Sequence, residues 1–255
     1  MTAMNKGTLY LVPAPLDLGT GQTPPLGDVL PEQTLQAASG LRHWVAENAK
    51  SLRAYLKRVH ATHPLPCPLQ EIQIVELPRA VHKQGDHDGQ FDARPLLRAA
   101  LEGHDVGLVS EAGMPAVADP GSSVVRAAHD LGLRVMPLVG PMSLLLALAA
   151  SGLNGQNFAF VGYLPQDPAQ RQTRLKQLEQ LALKTGQTQI WIETPYRNAA
   201  MLSSMLQTLQ PHTRLCVASG LTLAQQKVRS QTVARWREQL HGPDSDTPAV
   251  FAIGI

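Results

Sequence analysis

Aromatic side chains are scarce in this chain, with 3 Trp, 4 Tyr and 4 Phe among 255 residues. Its core must therefore be built from Leu, Ala and Val, and broad stacking platforms for bare single strands are excluded. Cysteine is rarer still. Cys67 and Cys216 stand alone without a CxxC spacing, which argues against a cysteine metal site and for a reducing compartment. Long apolar runs are also missing. The longest apolar helix-like stretch, 144–150, is far short of a membrane span, and residues 1–15 lack the basic region and apolar segment of a signal peptide. These absences predict a soluble, cytoplasmic, globular protein. Charged residues make up a moderate 16%, and the 20 prolines and 20 glycines are spread along the chain rather than gathered into a linker.

The net charge of +2 is unevenly divided. Residues 153–255 carry 10 Lys and Arg against 6 Asp and Glu, leaving 12 against 14 in residues 1–152. A basic excess in the second half suits a polyanionic partner. Over the first 150 residues, strand-like and helix-like segments alternate: 8–12, 32–38, 44–47, 50–59, 71–77, 91–101, 106–109, 123–131, 135–139 and 143–150. That alternation predicts a parallel sheet covered by helices on both faces. A turn cluster follows at 151–155. The elements beyond it, at 158–161, 169–183, 189–192, 198–209, 214–218, 226–232, 233–240 and 249–253, include consecutive strands without long crossovers and predict a mixed sheet. The expected organisation is a first α/β domain over 1–152 and a second over 153–255, with the ligand loops of the first facing a cleft between them.

The segment Ser110-Glu111-Ala112-Gly113-Met114-Pro115-Ala116-Val117-Ala118-Asp119-Pro120-Gly121 follows an apolar strand and leads into a helix. Its two glycines and two prolines let main-chain groups approach a ligand closely, and the main chains of Gly113, Met114, Ala116 and Val117 are the candidate contacts. Asp119 has two readings, a cap on the helix beginning near Ser122 with Pro120 at its first position, or a ligand contact. A second junction, Gly140-Pro141-Met142-Ser143, opens another helix whose N–H groups suit a carboxylate or adenine. Two such turns of one parallel sheet open at the carboxyl ends of the strands, where α/β folds bind ligands.

These loops, with Gly7-Thr8-Leu9-Tyr10-Leu11-Val12, Phe160-Val161-Gly162-Tyr163-Leu164-Pro165 and Glu193-Thr194-Pro195-Tyr196-Arg197, form an ordered set covering most of the chain. In that set the chain resembles the tetrapyrrole methylase-like S-adenosylmethionine-dependent methyltransferases, most closely the branch acting on small-subunit ribosomal RNA. The resemblance implies a two-domain homodimer that binds S-adenosylmethionine and methylates a ribose 2′-hydroxyl in RNA of the small ribosomal subunit. It adds Pro13, Glu111, Tyr163, Leu164 and Thr194 to Gly113, Met114, Ala116, Val117, Gly140, Pro141, Met142 and Ser143 as cofactor contacts. The chain departs from the branch at Glu47-Asn48-Ala49-Lys50 and Ser219-Gly220-Leu221-Thr222-Leu223, where charged groups are missing. Such departures mark a divergent subgroup. They leave open a tetrapyrrole or other small acceptor, or a cofactor-binding protein without turnover.

Methyl transfer from a sulfonium mainly requires alignment of donor and acceptor, although a hydroxyl acceptor must lose a proton. Glu193 is the candidate catalytic carboxylate, with a strand end and helix cap as its other reading. Tyr196 and Arg197 are candidates for an anionic acceptor. Arg171 and Arg174, on a predicted helix, are candidates for phosphate contacts. The run from His82 to Asp88 holds metal-capable side chains without a recognised ligand spacing, so no metal is expected. Gly19-Thr20-Gly21 is only a fragment of a phosphate loop.

Overall fold

The computed structural model describes residues 5–16, 21, 23–78, 80–81, 90–238 and 247–255. The chain divides into two units, one built on the N-terminal strand and Pro24–Pro141, the other on Met142–Ile255. The segment 82–88, considered above for metal-capable side chains, lies outside the described residues, as do Gly19 and Thr20.

The first unit holds a parallel sheet of five strands: β1 (Thr8–Leu11), β2 (His43–Ala46), β3 (Gln73–Glu76), β4 (Val106–Val109) and β5 (Arg134–Pro137), in the order β3-β2-β4-β1-β5. Helices α1 (Glu32–Gly40) and α2 (Ala49–His60) contribute Leu35, Ala38, Leu52 and Leu56 to a core cluster with Val12, Trp44 and Ala46. The short α3 (Arg98–Leu101) and α4 (Ser122–Asp130) bury Ala100, Val124, Ala127 and Ala128 in a second cluster with Leu9, Val45, Val106 and Leu108. Alternate residues of one strand enter different clusters, which places helices on both faces of the sheet. All four residues of β4 are buried, as a central strand covered on both sides requires.

This order creates a switch point. The chain leaving β1 crosses towards β2, whereas the chain leaving the adjacent β4 crosses the other way to β5. Right-handed crossovers in opposite directions lie on opposite faces, so the connections diverge and leave a crevice at the carboxyl ends of β1 and β4.

The second unit begins with α5 (Ser143–Ser151), followed by β6 (Phe158–Phe160), α6 (Pro168–Thr185), β7 (Thr188–Glu193), α7 (Asn198–Thr208), β8 (Arg214–Ser219), β9 (Lys227–Thr232), α8 (Val233–Glu238) and β10 (Ala249–Gly254). Its sheet runs β6-β7-β10-β8-β9, with β6 parallel to β7 and the remaining pairs antiparallel. Leu175, Leu178, Met201, Met205 and Trp236 form one core with Trp191, Leu215 and Phe251. Asp167 starts α6 by accepting the Gln170 N–H at 2.9 Å, with Pro168 at the first helical position.

The division at Pro141 precedes the turn at 151–155. Helix α5 buries Leu144, Ala147 and Leu148 and packs on β8, β9 and β10. The turn residues mark the end of that helix, with Gly152 left-handed at φ 70° as its cap.

Candidate functional site

The segment after β4 is tied back to the segment after β1. Ala14 N–H donates to Gly113 O at 2.9 Å and Gly113 N–H to Ala14 O at 3.0 Å, an isolated antiparallel bridge across the crevice. Gly113 takes φ 69°, as a glycine readily does, but Ala116 at 66° and Ala118 at 62° are left-handed despite their Cβ atoms. Two strained alanines in one short loop are sustained by surrounding contacts. Ala116 N–H donates to Pro120 O at 3.3 Å, and Val117 N–H to Met114 O at 3.4 Å. Among the described residues, the N–H groups of Met114 and Ala118 donate to no acceptor.

The third strand of this edge contributes Gly140. A Cβ there would lie 2.3 Å from Pro13 Cγ, so only glycine lets the β5 loop close on buried Pro13. Pro13, Gly113, Met114, Ala116, Val117, Gly140 and Pro141 thus converge on the ends of β1, β4 and β5 in one unit. Met142 and Ser143 start α5 in the other.

Three carboxylates border the crevice. Glu47, just past β2, accepts the Glu111 N–H at 3.0 Å. Glu111 accepts the Ser51 hydroxyl at 2.9 Å. Asp119 is pushed up to about 7 by burial, reinforced by the Glu47 carboxylate and opposed by a hydrogen bond from Ser110. Position 119 is not the N-cap residue: Gly121, at φ 132°, occupies that place before α4. The opening Asp119-Pro120-Gly121 suggests an Asp cap with Pro at the first turn, but the left-handed stretch delays the helix. Glu47 and Ser51 escape sequence reasoning because their partner lies 64 and 60 positions away.

In the second unit, the ends of parallel β6 and β7 hold the other candidates. Glu193 is buried. Its Oε1 accepts the Thr194 N–H at 2.9 Å, and its Oε2 lies 2.9 Å from the Arg197 guanidinium. The latter is a charge contact rather than a directed hydrogen bond. Arg197 also donates to Leu164 O at 3.1 Å, so one guanidinium joins the segments after β6 and β7. Leu164 is buried, while Tyr163 is 57% and Tyr196 79% exposed.

Several arginines of this unit are engaged by the fold, while Lys176, Lys184 and Arg235 are exposed. Arg171, expected at a phosphate, is buried and donates to Ser204 Oγ at 2.9 Å and Gln166 O at 3.0 Å. It holds α6 to α7, and a guanidinium so committed offers no free fork to a polyanion. Among the described residues, Arg174, half-buried, reaches only Gln177, at 3.4 Å. Arg229 stacks on Trp236 at 4.0 Å, and Arg237 donates to the Leu206 and Leu209 carbonyls at the end of α7.

Five parallel strands with a bridged, left-handed loop and carboxylates at the switch point define an α/β protein of the open, parallel-sheet class. The chain belongs to the tetrapyrrole (corrin/porphyrin) methylase family, whose profile matches residues 37–236, in agreement with the resemblance carried by its motifs. It is similar to the ribosomal RNA small subunit methyltransferase I of Pseudomonas aeruginosa, with 32% identity over 91% of this chain and 72% of that protein. The protein of the same name from Mesorhizobium japonicum is 39% identical over 62% of this chain, which spans about half, 52%, of that relative. Two solved structures share the fold. The methyltransferase CobJ superposes with a TM-score of 0.57 at 18% identity, covering 97% of this chain and 94% of that one. The uroporphyrin-III-C-methyltransferase of Thermus thermophilus gives 0.51 at 20%, covering 98% and 94%.

Proposed function

We propose that this chain is an S-adenosylmethionine-dependent methyltransferase acting on RNA of the small ribosomal subunit, at a ribose 2′-hydroxyl. The observation that carries this reading is the 32% identity extending over 72% of a relative named for that RNA, against 18–20% to the tetrapyrrole enzymes. The donor set at the first unit's sheet edge fits the cofactor. N–H groups of Met114 and Ala118 without an acceptor suit its polar atoms, and Glu47, Glu111 and Asp119 suit a cationic ligand. Pro13, Gly113, Ala116, Val117, Gly140 and Pro141 shape this edge. Met142, Ser143, Tyr163, Leu164 and Thr194 are the proposed cofactor contacts of the second unit.

When bound, the cofactor supplies a methyl group on a positively charged sulfur. The protein's part is alignment, exclusion of water and disposal of the acceptor proton. Asp119, titrating near neutral pH, is a group at this edge able to take up a proton there. Glu193 acts in this reading as a positioning carboxylate, holding Thr194 and Arg197, while exposed Tyr196 and half-buried Arg174 meet the acceptor. The enzyme works in the cytoplasm as a homodimer. Support for pairing comes from α5, which leaves Leu145, Leu146, Ala149 and Ala150 exposed on an otherwise apolar helix.

Calorimetric titration with S-adenosylmethionine and S-adenosylhomocysteine, with NAD as control, tests the cofactor. Saturable binding of the methionine pair alone is expected, and Gly113→Val weakens it at least tenfold. Absence of binding by the folded wild-type protein contradicts the proposal.

A further inference from the structure

Arg171, Arg197, Arg229 and Arg237 of the second unit are occupied by the fold, and a row of exposed cations lies on α2 of the first. This helix carries Lys50, Arg53, Lys57, Arg58 and His60 without one acidic residue. Arg58 turns aside to donate to Pro24 O at 2.7 Å. Lys50, Arg53, Lys57 and His60 recur at intervals of three and four, which aligns them in one stripe. All four are exposed, opposite the buried Leu52, Tyr55, Leu56 and Val59. No ion pair joins Lys50, Arg53 or Lys57 to an acid among the described residues.

Helix stability does not account for this arrangement. Lys57 and His60 near the C-terminus suit the helix dipole, but Lys50 sits in the first turn, where a cation is unfavourable; the carboxylate at that end comes from Glu76 of β3, which accepts the Ala49 N–H at 2.6 Å. The stripe also has a direction. Its upper end adjoins the crevice, because Ser51 donates to Glu111 of the β4 loop at 2.9 Å. It then runs back along the unit for about 15 Å, at ~1.5 Å rise per residue. Its lower end borders a cavity of about 470 Å³ lined by Lys57, His60, Leu65, Cys67, Pro68 and Leu69. Leu65 N–H donates to His60 Nδ1 at 3.2 Å, which leaves the ring proton on Nε2 as a donor.

We infer that the exposed stripe of α2 and the cavity at its foot form an RNA-docking surface: Lys50, Arg53 and Lys57 follow the phosphates and the cavity receives an unstacked base. Charge complementarity selects a polyanion, and the mostly apolar cavity walls beside two donors select one that carries flat bases. The inference rests on the RNA reading above and adds where that RNA lies.

The test measures binding of purified small ribosomal subunits to full-length wild type and to the Lys50→Gln/Arg53→Gln/Lys57→Gln variant across a salt series. Cofactor calorimetry is run on the same preparations. Alkylation by N-ethylmaleimide reports the cavity directly. Cys67 is partly exposed, whereas Cys216 is buried with its thiol pushed up to about 11.

The expected result is a loss of about tenfold or more in affinity at ~0.1 M salt and a salt slope smaller by about 2, from three lost contacts at ~0.7 each. Subunits should slow Cys67 labelling in the wild type but not in the variant. Cofactor affinity should be unchanged, and the melting temperature no lower. Unchanged RNA affinity and slope in the variant overturn the docking surface while leaving the methyltransferase reading intact. Cofactor binding with no binding of subunits by the wild type overturns both this surface and the RNA acceptor. Displacement of subunits by polyglutamate as readily as by competing RNA also overturns it, in favour of an acidic protein partner.

Discussion

Ala116 and Ala118 hold their backbones left-handed within three residues of each other, a conformation that costs roughly 1–2 kcal/mol at each non-glycine residue. Replacing Ala118 with glycine should relieve part of that strain. The expected gain is about 0.5–1 kcal/mol in urea denaturation, reduced by the greater freedom of the unfolded glycine. Cofactor affinity should fall in the same variant if the strain holds the loop ready for its ligand. Asp119 provides a pH signature. Its carboxyl holds a proton in the folded state up to about 7, whereas the unfolded carboxyl releases it near 4. The folded state therefore binds more protons across that window, and apo stability declines as pH rises through it. Asp119→Asn should abolish roughly 1–2 kcal/mol of that decline, a figure reduced for solvent screening at a half-buried site. Equal pH profiles for the two proteins would contradict the placement of Asp119.

Among the elements, Arg197 ties the end of β7 to the segment after β6, pairing with Glu193 and donating to Leu164 O. Arg197→Leu leaves a buried carboxylate without its cation and should cost about 3 kcal/mol or more in chemical denaturation. Adding Glu193→Gln should recover part of that loss, because the remaining charge is removed; a further full loss would show that the two do not act together. The elements themselves were largely legible in the residues. The predicted strand 106–109 is β4, and the helix predicted over 50–59 is α2 with a residue added at each end, its start fixed by Asn48, which accepts the Lys50 and Ser51 N–H groups. Local periodicity and capping chemistry carry that information. The helix predicted at 91–101 proved to be a 3₁₀ turn, Arg94–Leu97, followed by the short α3, because Pro95 permits a helical start only just before it. Contacts between distant segments were not legible. Nothing local announces that Glu47 will meet the Glu111 N–H, that Arg171 will turn inward to Ser204, or that two alanines will take glycine-like angles.

For the whole molecule, the strand order decides where chemistry can occur, and strand order is not written in any one segment. The switch point between β1 and β4 gathers Gly113, Met114 and Ala116, singled out in the sequence by their loop, and Pro13, added only by the family resemblance. Charge counting along the chain favoured the second half as the RNA surface, but counting does not show which cations the fold consumes. With Arg171, Arg197, Arg229 and Arg237 engaged by the protein, the free cations on α2 carry more weight than the total suggests. The most direct measurement of the central claim supplies the protein and S-adenosylmethionine labelled in its methyl group with under-modified small ribosomal subunits and, separately, with a tetrapyrrole precursor. The account predicts label in the RNA as a 2′-O-methyl nucleoside and none in the tetrapyrrole. Label in the tetrapyrrole, or no transfer to RNA by protein shown to bind the cofactor, would contradict it.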